Sequence, residues 1–337
     1  MRTPVTLVTG AGGEIGHGLV TRLARAGRPI VTVDLTRLDN SLAPLVRREF
    51  TGSITDTTLL ERVLAEFEVD LIFHLAALLS TRAEFTPLTA HEVNVEGTLR
   101  LLEFSQREGE SHGRPVTFVY PSSIAAYGLA GLDAKNKAGR VREEECAAPK
   151  TMYGCNKLYC EHLGRYYAKH YKQLAADAVP RVDFRCIRFP GLISAATEPA
   201  GGTSDYAPEM IHCAARGESY VCFVRPDTRI PFMTMPDAIE ALMQLAATDR
   251  SRLTRSAYNV CAFNPDAQTI HDVVVQAFPR ARITWKTDLK RQAIVDSWPA
   301  DVNDRAARHD WGFAPAYDFD RAFEDYLIPG IKERYGA

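Results

Sequence analysis

The sequence predicts an α/β fold in which a doubly wound parallel sheet is joined to a smaller C-terminal α/β lobe. Three observations predict it. Strand-like and helix-like apolar patterns alternate through the first 190 residues, a glycine cluster follows the first strand, and the pattern changes after Pro190. At 337 residues, 46% hydrophobic and 24% charged, the chain can build one large domain or two modest ones.

The first element is "VTLVTGAGGEIGHGLV", residues 5–20, where a strand breaks into glycines and a helix begins. Gly10, Gly13 and Gly16 have GxxGxxG spacing, and Leu19, Val20, Leu23 and Ala24 follow at helical spacing. Such a turn lets backbone approach a phosphate at the N-terminus of a helix, where free N–H groups favour an anion. The bland alternative is a glycine-rich turn with no ligand. A second strand ending in Asp34, 18 residues after Gly16, favours the ligand. A carboxylate there accepts hydrogen bonds from ribose hydroxyls and repels a 2′-phosphate. Arg37 nearby favours NADP, but the acidic strand end points to NAD.

Further strands are expected near 47–50 and at 70–74, 115–121 and 182–188, with helices at 14–26, 56–67, 89–108 and 153–171. "PGLISAATEPAGGTSDYA" reads as a loop, followed by a helix (206–216), a strand pair near 219–232 and a helix (236–248). The expected division is an NAD-binding Rossmann-type domain over 1–190 and a mainly substrate-binding lobe over 191–337, the chain being free to cross between them. The cleft belongs at the carboxyl ends of the strands.

Composition narrows the partners. Lys+Arg 40 against Asp+Glu 42 leaves a net charge of −2 with no basic stretch, which argues against nucleic acid. No apolar run approaches membrane-spanning length, and no charged-then-apolar leader opens the sequence. The seven cysteines include no CxxC pair and the nine histidines no HxxxH, so a reduced, cytoplasmic protein without a metal is expected.

Two stretches carry chemistry. "VTFVYPSSIAAYG" (116–128) is a strand ending in Ser122 and Ser123, and "TMYGCNK" (151–157) sets Tyr153 and Lys157 four residues apart on one helix face. An ammonium near a phenol favours the phenolate and fits it for proton transfer, with a serine hydroxyl to hold the substrate oxygen. YxxxK alone is weak. Its position after the glycine turn, Asp34 and the serine strand gives it weight.

With "TGAGGEIG", Asp34, "HLAA" (74–77), Asn94, "PSSIAAYG" and "YGCNK", the chain resembles the extended short-chain dehydrogenase/reductase superfamily over residues 5 to about 190. The resemblance implies Tyr153 as acid/base, Lys157 on the nicotinamide ribose, Ser123 on the substrate, and Asn94 positioning the lysine through a water. It places Glu14, Ile15, Ser53, Ile54, Leu75, Ala76 and Ala77 along the cofactor with the glycines and Asp34. Many relatives carry an acidic residue where Ser53 stands.

"LAALLSTRAE" (75–84), "RFPGLISAATEPAGGTSDYAPEMIH" (188–212), "IPFMTMPDAI" (230–239) and "RQAIVDSWPADVNDRAARHDWGF" (291–313) together resemble the short-chain-type L-threonine 3-dehydrogenases. That likeness implies NAD-dependent oxidation of the threonine C3 hydroxyl, with Ser80, Thr203 and Asp205 holding the amino acid. It also implies a homodimer built on the helices at 89–108 and 153–171, through residues such as Leu99, Leu102, Leu158 and Leu163. The bland reading of "GGTSDYA" is a capped helix start, with Ser204 or Asp205 as N-cap. The segment 129–150 is longer and more charged than in that family and lies on the approach to Tyr153. Two other functions compete: a UDP-hexose 4-epimerase holding NAD, and an NAD sensor without catalysis.

Overall fold

A computed structural model of the chain describes residues 3–336. β1 (Thr3–Thr9) leads through the glycine turn into α1 (Glu14–Arg25), then β2 (Ile30–Asp34), β3 (Arg48–Thr51), α2 (Thr57–Glu66) and β4 (Phe67–His74). Short helices α3 (Ser80–Phe85) and α4 (Pro87–His91) and a π turn (Glu92–Glu96) precede α5 (Gly97–His112) and β5 (Val116–Ser123). Next come α6 (Leu132–Ala138), β6 (Arg140–Val141), α7 (Met152–Lys169) and β7 (Val182–Phe189). The later chain gives β8 (Gly191–Ile193), α8 (Tyr206–Ala215), β9 (Ser219–Cys222), β10 (Phe232–Thr234), α9 (Met235–Ala247) and β11 (Ala257–Asn259). It continues with α10 (Ala267–Ala277), β12 (Arg282–Trp285), α11 (Leu289–Asp296), β13 (Asp301–Val302) and short helices to Tyr335.

Seven strands form one parallel sheet in the order β11-β7-β5-β4-β1-β2-β3. Its strands read as apolar runs because both faces are covered: all eight residues of β7 are buried, as are Val5, Leu7 and Val8 of β1. Each such valine or leucine contributes roughly 1.5–3 kcal/mol. The strand order reverses between β1 and β4, which opens a crevice at the carboxyl ends of these strands. β11 and α9 come from the second half of the chain, yet β11 pairs with β7 and α9 packs on α1.

Polar residues start the helices. Asp56 accepts from Thr58 and Leu59 N–H at 2.9 and 3.2 Å, and Thr151 caps α7 through Gly154 N–H at 3.0 Å. The helix expected at 89–108 is interrupted by the π turn. There Gly97 N–H donates to Glu92 O five residues back, and the carbonyl of Asn94 accepts from Thr98 Oγ1 at 2.6 Å and Cys160 Sγ at 3.2 Å.

The strand pair expected near 219–232 is not a hairpin. β9 pairs in parallel with β12 and β10 with β8, because the 223–231 connection, with Pro226 and Pro231, forms a loop that carries each strand to a distant partner. Of the leucines expected to line a dimer face, Leu102 is fully buried in the core beside the sheet, whereas Leu99 and Leu163 are half-buried against that core and Leu158 is half-buried on α7. Exposed apolar side chains there include Phe85, Leu88, Tyr159 and Tyr166. No helix among the described residues is long and apolar enough to cross a membrane.

Candidate active site

The crevice is a cleft of about 430 Å³ lined by both halves of the chain. At one end the glycine turn brings backbone close. Gly10 has φ +69°, and a Cβ there would lie 2.6 Å from Ala76 N, so the turn excludes a side chain. A Cβ on Gly16 would collide with the carbonyls of Gly10 and Ala11. No side chain caps α1, so its first N–H groups are left at the cleft beside Gly13, Glu14 and Ile15. Asp34 Oδ2 accepts Gly12 N–H at 2.9 Å, which holds the carboxylate at the end of β2. Leu75, Ala76 and Ala77 line the cleft below the turn, with Ser53 and Ile54 beyond Asp34.

His74 fixes the base of this region. Its ring nitrogens bridge Thr9 Oγ1 at 2.7 Å and Thr98 Oγ1 at 2.9 Å, tying β1 and α5 to β4. Burial, helped by the charge of Lys157, pushes its pKa down to about 3, so the ring is neutral.

At the other end, Ser123, Tyr153 and Lys157 meet. β5 delivers Ser123, whose Oγ accepts Ala125 N–H at 3.1 Å. α7 delivers the other two, with Lys157 Nζ 5.4 Å from the Tyr153 ring centroid and donating to the carbonyl of Pro121 at 2.6 Å. That bond joins α7 to the strand that carries the serine. Burial holds the Lys157 ammonium down to about 8. It also pushes the Tyr153 phenol above its ordinary value, opposite to the effect expected from a neighbouring ammonium. Ser80 and Asp205 line the same cleft.

A family model described as the NAD dependent epimerase/dehydratase family matches residues 6–261. The chain belongs to this family. An "uncharacterized epimerase/dehydratase" of Staphylococcus aureus is 34% identical over 324 residues, covering 93% of this chain and 92% of that protein. Among solved structures, a monomeric L-threonine 3-dehydrogenase from a metagenome superposes with a TM-score of 0.84 at 31% identity, covering 98% of this chain and 99% of that one. The L-threonine dehydrogenase of Clostridium difficile gives 0.84 at 30% identity, with 99% of each chain covered.

Against the family's NAD-dependent chemistry, two residues expected in the site lie behind its wall. Asn94 is buried and does not line the cleft. Its amide brackets Leu78, accepting from Leu78 N–H at 2.7 Å and donating to Leu78 O at 3.1 Å. Thr203 is likewise buried, and its N–H donates to Ser80 Oγ at 3.1 Å, so it steadies the serine rather than facing the cleft. Asp205 opens α8 without capping it, and its carboxylate turns back to Gly202 N–H at 2.5 Å. Burial raises its pKa, and burial together with the charge of Asp205 raises that of Glu14 to about 7. The two carboxyls belong to opposite lobes of one cleft.

Trp298, Met235 and Leu192, which the sequence does not single out, also line it, as does Ser204 beside Asp205. Trp298 lies within "RQAIVDSWPADVNDRAARHDWGF", one of the stretches that resemble the L-threonine 3-dehydrogenases. Among the described residues, no group of three or more His, Cys, Asp or Glu could hold a metal ion.

Proposed function

We propose that this protein oxidises the C3 hydroxyl of L-threonine to 2-amino-3-oxobutyrate with NAD⁺. The observation that carries the reading is the meeting of Ser123, Tyr153 and Lys157 with Ser80 and Asp205 in one cleft. Whole-chain similarity to threonine dehydrogenases at about 30% identity supports it.

The uncapped α1 terminus, the Gly10 turn and the Asp34 carboxylate suit a dinucleotide without a 2′-phosphate. In this reading Gly10, Gly13 and Gly16 pass its pyrophosphate, Asp34 holds the adenosine ribose, and Lys157 binds the nicotinamide ribose. Bound NAD⁺ supplies the hydride acceptor and a positive charge at the catalytic end. Tyr153 takes the proton of the C3 hydroxyl while Ser123 holds the same oxygen. Lys157, anchored on Pro121 O, favours the charged form of Tyr153 against its burial. Ser80 receives the amino acid, steadied by Thr203, and Asp205 faces its ammonium.

The UDP-hexose epimerase reading requires cationic groups for a diphosphate. Arg188, the arginine of the "RFPG" run, is instead buried in an ion pair with Glu161. The deciding experiment offers purified protein L-threonine with NAD⁺ or UDP-hexoses alone. NADH formation with threonine supports the proposal. Sugar interconversion without net NADH, and no reaction with threonine, overturns it.

A further inference from the structure

The segment 129–150 carries charge that the proposed reaction does not use, yet its contacts are concentrated. Leu129 N–H donates to Ser297 O at 2.8 Å. Lys135, only 3% exposed on α6, donates from Nζ to Val295 O at 3.0 Å. The same Val295 carbonyl accepts Trp298 N–H at 3.2 Å. The backbone leading into Trp298 is therefore pinned twice, at Ser297 by residue 129 and at Val295 by residue 135. Lower down, β6 pairs with β13, and Arg140 bonds Asp304 Oδ1 at 3.0 Å.

The charges around Lys135 make this anchor rigid. It sits among Asp296, Arg225 and Asp227, and burial holds its pKa to about 8. Arg225 grips Asp296 with two bonds of 2.9 and 3.0 Å, and Gln292 Nε2 adds a third at 2.8 Å. A cation at the last carbonyls of α11 also opposes the helix dipole favourably. Beyond this anchor, Trp298 lines the cleft and shares one apolar cluster with Ile124 and Ala125, against which Tyr153 packs.

We infer that residues 129–150 are a brace that positions Trp298 through Lys135 and Val295 O, so that Trp298 limits how long a side chain the substrate can carry beside Tyr153. Lys135 is a positioning residue. The inference rests on the reading of the substrate as a 3-hydroxy amino acid.

The test compares kcat/KM for L-threonine and for 3-hydroxynorvaline, one methylene longer, in wild type, Lys135→Met, Trp298→Ala and the double variant. Lys135→Met should lower the preference for threonine by about tenfold or more, the scale of one methylene in a fitted pocket. KM for threonine should rise more than kcat falls, with KM for NAD⁺ within about twofold of wild type. In the Trp298→Ala background, Lys135→Met should change the preference no further, since coupled residues are not additive. Unchanged preference in Lys135→Met, or a fully additive double variant, overturns the brace.

A second readout needs no substrate. Acrylamide quenching of Trp298, taken as the difference from Trp298→Phe, should rise in Lys135→Met and stay unchanged if Lys135 does not hold Trp298. Inactivity of wild type on threonine would defeat the proposed function and leave the brace to be judged on quenching. Lys135→Gln, with a donor on a shorter chain, serves if the Met variant does not fold, and the same outcomes decide.

Discussion

Arg188 and Glu161 form a buried two-point ion pair: Nη2 lies 2.6 Å from Oε2 and Nε 2.9 Å from Oε1. Ser122 Oγ donates to the same Oε1 at 2.5 Å, and Arg188 Nη1 reaches Glu143 O at 2.7 Å. Glu161 sits one turn after Lys157 on α7, so the pair joins α7 and β7 beneath the serine strand. Removing one partner leaves a buried charge alone, which costs about 3–5 kcal/mol. Arg188→Met should therefore lose that much stability in urea unfolding, and Arg188→Met with Glu161→Gln should recover part of it. A single variant as stable as wild type would show that the pair contributes nothing.

Glu14 gives a pH dependence with a defined sign. Folded, burial and the charge of Asp205 keep its proton on to about 7, whereas an ordinary glutamate loses it near 4.5. Between these values the native state binds more protons than the unfolded chain, so stability falls as pH rises through that window. The facing groups are Asp205, which raises the pKa, and the backbone of Ala200, which lowers it. Glu14→Gln should leave the Tm unchanged near the bottom of the window and raise it above the top. A gain of equal size at both pH values would contradict the account.

Asp34 sets cofactor choice. Held by Gly12 N–H, its carboxylate would meet the 2′-phosphate of NADP, so kcat/KM should favour NAD. Asp34→Ser should narrow the gap. Equal kcat/KM with both cofactors in wild type would refute this role.

Phe85 is 82% exposed and Leu88 86%, and α3 and α4 pack on α7, which exposes Tyr159. Exposed apolar side chains on three packed helices fit a two-fold contact with a second copy. A homodimer is the expected species in sedimentation, and Leu88→Glu should shift it to monomer. A wild-type monomer at micromolar concentration would rule the dimer out, and the metagenome relative is itself described as monomeric.

What the sequence revealed was local. Gly10, Gly13, Gly16 and Asp34 lie within one strand-turn-helix-strand unit, and Tyr153 and Lys157 within one helical turn, so spacing alone predicts a shared site. What it hid depends on contacts between distant segments. Asn94 and Thr203 have the right chemistry for the cleft, but their bonds to Leu78 and Ser80 place them behind its wall. β9 finds β12 some 60 residues later, which no local pattern encodes. Lys135 reads as a solvated lysine in a charged run, because only the fold brings Val295 O to it.

The central claim is that Tyr153 is the base for threonine oxidation, and the most direct test is the rate of NADH formation from L-threonine by wild type and Tyr153→Phe. The account predicts turnover by wild type and a loss of about 10²–10⁴-fold in the variant, with NAD affinity retained because the ring remains. Turnover by Tyr153→Phe within about threefold of an active wild type would contradict it.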